Sequence, residues 1–246
     1  MVHHNHPRGL AEVVGAVAPH AHNLVVVDAG SDRASRRQLE GLPVLDTPNR
    51  GYGAAANIGA RYVGDVDAIL FLNHEAVLSQ EAVPRLTNAL GPSVGAVGPR
   101  LQLAGAGSRY GGRVDRRSWT THRLYEPTAT VDWLDGAAML VRREAFERVS
   151  GFEERYFLYY EDADLTFRMR QAGWGIAVEP RAEAAAADSG NFRGALRRRN
   201  WLLFVERTAP PSIVARSIAV AVRRAMTSRE WRTGLRLYAT RSWGPV

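Results

Sequence analysis

The chain has 246 residues, 46% of them hydrophobic, enough to bury the core of one large α/β domain or two small ones. It has no Cys, which excludes disulfides and thiolate metal sites; with no bilayer-length apolar run and no opening signal peptide, a cytoplasmic location is expected. All 32 basic residues are Arg; 12 lie in residues 193–246 against only Glu206 and Glu230, while residues 1–192 hold 20 Arg against 23 acids, so a basic tail is set to meet something anionic.

Strands and helices alternate along the chain. Residues 23–27 form an apolar run ending at Asp28-Ala-Gly-Ser-Asp32, which reads as a buried strand and a turn. Residues 44–46 read as a second strand and the Ala-rich 53–62 as a helix. Residues 68–72 form a third strand that ends at Asn73-His74-Glu75. Ser79 is placed to cap a helix reaching Leu90, and 94–97 is a fourth strand. Residues 104–118, rich in Gly, Arg and Ser, read as a loop, and 131–141 is apolar around Gly136. A further helix precedes the aromatic run 156–160, which delivers Glu161, Asp162 and Asp164 to a helix stopped by Gly173. A strand follows at 175–178. This alternation predicts an α/β fold, a mostly parallel sheet with helices on both faces and ligands at the carboxyl ends of its strands.

Several residues carry chemistry. Acids in a first helical turn are favoured by the helix dipole, so Glu161, Asp162 and Asp164 read as capping. Carboxylates against aromatic surroundings also have raised pKa values, which suits a general base. Asp28 reads either as a turn-former or as a group projecting at the ligand edge. Asn49-Arg50-Gly51-Tyr52-Gly53 reads as a glycine-rich turn opening a helix, whose N–H groups could approach a phosphate. Glu75 suits a hard cation, Mg²⁺ or Mn²⁺, or is simply solvated.

Together, Asp28 to Asp32, Asn49 to Asn57, Leu72-Asn-His-Glu75, Gly136-Ala-Ala-Met-Leu-Val-Arg-Arg143 and Gly151 to Gly173 resemble, in order and spacing, the family 2 glycosyltransferases, nearest to their rhamnosyltransferase-like branch. The likeness spans roughly residues 2–208, with 136–173 the specific block. It implies the GT-A fold, a Rossmann-like nucleotide-binding half joined to an acceptor half. It also implies an inverting transfer from a nucleotide-diphosphate sugar, with Mg²⁺ or Mn²⁺, to a glycan or polyprenyl-diphosphate-linked acceptor in cell-envelope synthesis. On this resemblance Asp28, Arg50, Asn57 and Asn73 contact the nucleotide-sugar, Asp135 and Gly136 floor the sugar pocket and Glu75 binds the metal. Asp162 is the catalytic base, with Glu161 next.

The departures shape further expectations. His3-His4-Asn5-His6-Pro7 stands where the family ends its first strand, so that strand is expected to be nearly absent and its neighbours unpaired. Either the true start lies upstream or the protein is compromised. Glu75 replaces the usual Asp, and no His stands near 185–187, leaving His74 or Asp188 to compensate. Residues 1–208 are expected to form the transferase domain and 209–246 a basic amphipathic helical segment. Its Trp, Leu and Arg residues suit either packing on the catalytic domain or docking on an anionic membrane. A nucleotide-sugar binder without activity is the alternative reading. An Arg-rich nucleic-acid binder is disfavoured by the acidic site.

Overall fold

The computed structural model describes residues 1–6, 9–105, 107–186 and 194–245. In chain order these form β1 (Val2–His3), α1 (Leu10–Val17), β2 (Val26–Ala29), α2 (Arg33–Arg36), β3 (Val44–Thr47), α3 (Tyr52–Tyr62), β4 (Ala68–Leu72), β5 (Val77–Leu78), α4 (Ala82–Ala89) and β6 (Val94–Leu103). There follow β7 (Gly107–Arg109), β8 (Gly112–Val114), β9 (Thr121–Arg123), β10 (Ala138–Arg142), α5 (Arg143–Arg148), α6 (Glu161–Gln171), β11 (Gly175–Ala186), α7 (Gly194–Thr208), α8 (Pro211–Ala225) and α9 (Arg229–Ala239).

The α/β layering is as the alternation predicts. A parallel sheet runs β1-β2-β3, and a second runs β4-β10-β6-β11-β5. In the second, β11 is parallel to β6, while β10 runs antiparallel between β4 and β6. Side chains alternate across it with the period of two that a pleated strand imposes. Ile69, Phe71, Met139 and Val141 pack with Ala55 and Ala56 of α3, Phe146 of α5 and Leu165 and Met169 of α6. On the opposite face Leu72, Ala138, Leu140 and Val97 meet Val13 and Val17 of α1 and Leu86 of α4. Burying each large apolar side chain contributes roughly 1.5–3 kcal/mol.

The first strand is short, as expected, but its neighbours are not left unpaired. Val2 and His3 pair with Val27 and Asp28, and Val2 also bridges Asn73 beyond β4, so this stub joins the two sheets. Ser79 does not cap α4 with its side chain. Its carbonyl instead accepts the Ala82 N–H at 2.9 Å, and Glu81 holds the N-cap position. Residues 104–118 are not all loop. β7 pairs with the end of β6, and β8 pairs with β9. Such ribbons are held by backbone bonds, which Gly, Ser and Arg supply as well as apolar residues do.

α6 ends as Gly173 predicts. With φ of 94°, Gly173 donates to the Arg170 carbonyl and Trp174 to the Met169 carbonyl, the paired bonds of a Schellman stop. α7, α8 and α9 form a third apolar cluster with the main body. Trp201, Leu203, Phe204, Ala221 and Trp231 join Trp119, Tyr156, Ala163 and Phe167. Asp188 lies outside the described residues.

Candidate active site

A cavity of about 660 Å³ opens where the ends of β4 and β6, the segment before β10 and the start of α6 face α7 and α8. Asn73, Glu75, Asp135, Gly136, Glu161 and Asp162 all line it. The aromatic run 156–160 sets up its acidic edge. Phe157, Tyr159 and Tyr160 have φ of 63°, 72° and 77°, a region that costs non-glycine residues of order 1–3 kcal/mol each. Two buried residues of α7 hold this shape. Asn200 Nδ2 donates to the carbonyls of Tyr156, Leu158 and Tyr159 at 3.0, 2.8 and 2.7 Å, and Arg199 donates to Tyr156 at 2.7 Å. Tyr160, left-handed, then occupies the N-cap position of α6, and the helix presents Glu161 and Asp162 to the cavity.

The carboxylates there are held in unusual states. Burial pushes the Asp162 carboxyl above its ordinary range, while N–H bonds from Gly136 at 2.8 Å and Ala163 at 2.7 Å favour its ionised form. Burial and then the adjacent Asp162 push Glu161 up to about 8. Burial, then Asp162, pushes Asp135 up to about 6 against the opposing pull of Arg123 and Arg109. The buried atoms Glu161 Oε2, Asp135 Oδ2, Arg123 Nε and Arg198 Nε have no hydrogen-bond partner. Such atoms are uncommon in folded proteins, and their gathering around one cavity marks a place for a polar ligand. The third acid of the segment, Asp164, faces away. It is fully buried, accepting from Tyr156 Oη, Arg168 Nε and Arg207 Nε at 3.1, 2.6 and 3.0 Å, and it ties α6 to α7.

Three expected nucleotide contacts stand apart from this cavity. Asp28 does not project from a strand end. It lies buried within β2, receiving Ser31 and His3 together with Arg36 at 3.0 Å. Burial opposes its ionised form, but the bonds from Ser31 and His3 prevail and hold the carboxyl below the usual range. Asn57 is buried and clamps the turn after α5. Its amide donates to Phe152 O and Glu154 Oε1 at 3.0 and 3.1 Å and accepts from Phe152 N at 3.0 Å. Arg50 is largely exposed, 3.9 Å from Glu154. The glycine-rich turn has a packing role. A Cβ on Gly51 would lie 2.1 Å from the Phe157 carbonyl oxygen, which instead accepts the Tyr52 N–H at 2.9 Å. The start of α3 therefore grips the aromatic loop with one backbone N–H of the turn expected to approach a phosphate.

At the expected metal position, the Glu75 backbone N–H donates to Asn73 Oδ1 at 3.2 Å. His6 Nδ1 and His74 Nε2 each lie 3.8 Å from Glu75 Oε1, a donor set that fits a divalent cation. Burial lowers the His74 pKa to about 4.

Sequence reasoning did not place the basic wall. Arg109, Arg123, Arg197, Arg198, Arg216 and Arg224 line the cavity facing the acids, with Trp201 and Trp231 between them. Arg198 and Arg224 lie over the Trp231 ring at 4.8 and 5.1 Å. The excess of Arg after residue 193 was the available signal, and only the packing of α7 and α8 turns part of it toward the site.

The profile of the family described as "Glycosyltransferase like family 2" matches residues 4–224. N-acetylglucosaminyl-diphospho-decaprenol L-rhamnosyltransferase of Mycobacterium tuberculosis (strain ATCC 25618 / H37Rv) is 30% identical over 188 residues, 63% of this chain and 61% of the relative. The chain thus spans about three fifths of that protein. Rhamnosyltransferase WbbL of Escherichia coli (strain K12) is 46% identical over 57 residues, 23% of this chain and 21% of the relative. Among solved structures, GalNAc-T7 with UDP, GalNAc and Mn²⁺ superposes with a TM-score of 0.65 at 16% identity, covering 83% of this chain and 46% of that one. Mannosyltransferase PcManGT of Pyrobaculum calidifontis, with GDP-Man and Mn²⁺, gives 0.58 at 16% identity over 98% of this chain and 83% of that one. These neighbours share the GT-A fold. The chain belongs to the glycosyltransferase-like family 2.

Proposed function

We propose that the protein is an inverting glycosyltransferase that moves a sugar, rhamnose in the leading case, from a nucleotide-diphosphate donor to a hydroxyl of a glycan or polyprenyl-diphosphate-linked acceptor in cell-envelope synthesis. The observation that carries this reading is one cavity with ionisable carboxylates on one side and guanidinium groups on the other. The rhamnosyltransferase relatives support the choice of sugar and acceptor.

Asp162 is assigned as the base. With Gly136 and Ala163 N–H fixing its carboxylate, a remaining lone pair takes the proton of the acceptor hydroxyl as that oxygen attacks the sugar's anomeric carbon. Burial and the neighbouring Asp162 favour the protonated form of Glu161, whereas the N–H bonds to Asp162 favour its ionised form, so the two adjacent carboxyls are set apart for different roles. Asp135 and Gly136 orient the sugar, and Asn73 contacts the donor. Arg123 and Arg198 stabilise negative charge on the diphosphate. Glu75, with the imidazoles beside it, would hold a divalent cation, which supplies Lewis-acid neutralisation of the departing diphosphate. Asp28, Arg50 and Asn57 remain assigned to the nucleotide side, the first and last through the segments they brace. A panel of nucleotide sugars, measured by calorimetry and by transfer to a lipid-diphosphate acceptor, tests this. Binding of a nucleotide sugar with transfer lost in Asp162→Asn is expected; no donor binding at all overturns it.

The same reading places α8 on an anionic membrane. Ile218, Val222 and Met226 are exposed at helical spacing on one face, with exposed Arg223 beside them. No helix among the described residues is long and apolar enough to cross a membrane.

A further inference from the structure

Ahead of the catalytic cavity, the histidine-rich segment 3–6 does more than complete a strand. One ring nitrogen from each of His6 and His74 and a Glu75 carboxylate oxygen lie within 4.8 Å of one another. His6 Nδ1 and His74 Nε2 each stand 3.8 Å from Glu75 Oε1. Tetrahedral ligands about 2.1 Å from a cation are roughly 3.4 Å apart, so both pairs are near ligating separation.

The surroundings aim these atoms. His74 Nδ1 lies 3.3 Å from the Val2 carbonyl, which can only accept, so Nδ1 is the donor there and Nε2 is the nitrogen turned toward Glu75. A ligating histidine is held in this way, by a backbone carbonyl on its other nitrogen. His6 is fixed through its own carbonyl, which accepts from Gln38 Nε2 at 2.6 Å and His3 Nε2 at 3.2 Å. His3 is braced in turn by Asp28 at 3.1 Å. The His6 and His74 rings pack at 4.8 Å.

We infer that His6, His74 and Glu75 form a cation site of two imidazoles and one carboxylate, suited to Zn²⁺ or a late first-row transition metal over Mg²⁺. Imidazole nitrogen favours Zn²⁺, Co²⁺ and Ni²⁺, whereas Mg²⁺ prefers oxygen ligands and retains its waters. Of the three residues only Glu75 lines the cavity, so the cation sits at its edge, and residue 6 contributes a ligand from outside the sheet. The inference rests on Glu75 as the cation ligand, but its test needs no sugar transfer and so fails or succeeds separately from the proposed activity.

The test is calorimetry of the full metal-stripped chain with Zn²⁺, Co²⁺ and Mg²⁺, without donor, together with the visible spectrum of the Co²⁺ form. One equivalent of Zn²⁺ or Co²⁺ should bind at least about tenfold tighter than Mg²⁺. His6→Ala and His74→Ala should each weaken Zn²⁺ by about tenfold or more, while the exposed His22→Ala should not. Equal affinity for Mg²⁺ and Zn²⁺, or undiminished Zn²⁺ binding in both variants, overturns the inference. If either variant fails to fold, imidazole ¹⁵N shifts of the unmodified chain decide: Zn²⁺ must move those of His6 and His74, and unmoved shifts overturn it.

Discussion

The Gly136 N–H donates to Asp162 Oδ2 at 2.8 Å, and the space above Gly136 is filled by the same aspartate. A Cβ placed there would lie 3.1 Å from Asp162 Cβ. Gly136, two residues ahead of β10, thus orients the assigned base by both a bond and a contact. Gly136→Ala should keep the fold and lower kcat about 10- to 100-fold, whereas Asp162→Asn should lower it by about 10²–10⁴, the usual share of a general base. Steady-state kinetics with circular dichroism as a fold check separates the two; unchanged kcat in both moves the base to Glu161.

The pH profile follows from the raised carboxyl. A base works ionised, so a pKa above the ordinary Asp value moves the acid limb of kcat/KM to higher pH, above about 4. An acid limb at or below that value would sink this assignment.

Glu161 makes a separate prediction for stability. Its folded pKa of about 8 lies above the unfolded value, so the folded chain binds the proton more tightly. That contribution is full below the unfolded pKa and is lost as pH rises to about 8. Glu161→Gln should therefore melt higher than the unmodified chain at pH 8, by several °C given about 2–4 °C per kcal/mol for this size, and the gap should narrow toward pH 5. Thermal scans at the two pH values measure it.

Asn200 and Asp164 brace the acidic edge without touching the cavity. Asn200→Ala leaves the Leu158 and Tyr159 carbonyls without this donor and lets the strained loop relax, at about 1–3 kcal/mol and with a drop in kcat larger than any change in donor KM. Asp164→Ala takes the carboxylate from Arg168 and leaves Arg207 with Glu153 alone, and should cost about 3 kcal/mol in denaturant unfolding. A loss below 1 kcal/mol for Asp164→Ala would deny it the role of tie between α6 and α7.

Membrane docking is best probed by point changes. Deleting 210–246 would strip Ala221 and Trp231 from an apolar cluster shared with the catalytic body. Val222→Asp with Met226→Asp removes only exposed apolar surface, and should abolish flotation with anionic vesicles while leaving the melting temperature within a few degrees. Undiminished flotation in this variant would remove α8 from the contact.

What the sequence determined by itself is local: an apolar 68–72 between turns, an Ala-rich helix after Tyr52, three acids after an aromatic run, Gly173 as a stop. Periodicity and turn chemistry act over a few residues, so these positions and the α/β class were legible, and the spacing of the motifs pointed to the family. Which side chains meet is settled by long-range packing, which spacing does not encode. Asp164, two residues from Asp162, turns into an ion-pair tie because α7 brings Arg207 against it. Asn57 and Gly51 serve the turns they touch because the 151–157 segment packs over α3. His6 reaches Glu75, 69 residues away in sequence, because the β1 stub bridges β2 and the end of β4. Arg197, Arg198, Arg216 and Arg224 line the same cavity as the acids of α6 for the same reason: burial of Trp201 and Ala221 against the body decides which way α7 and α8 point.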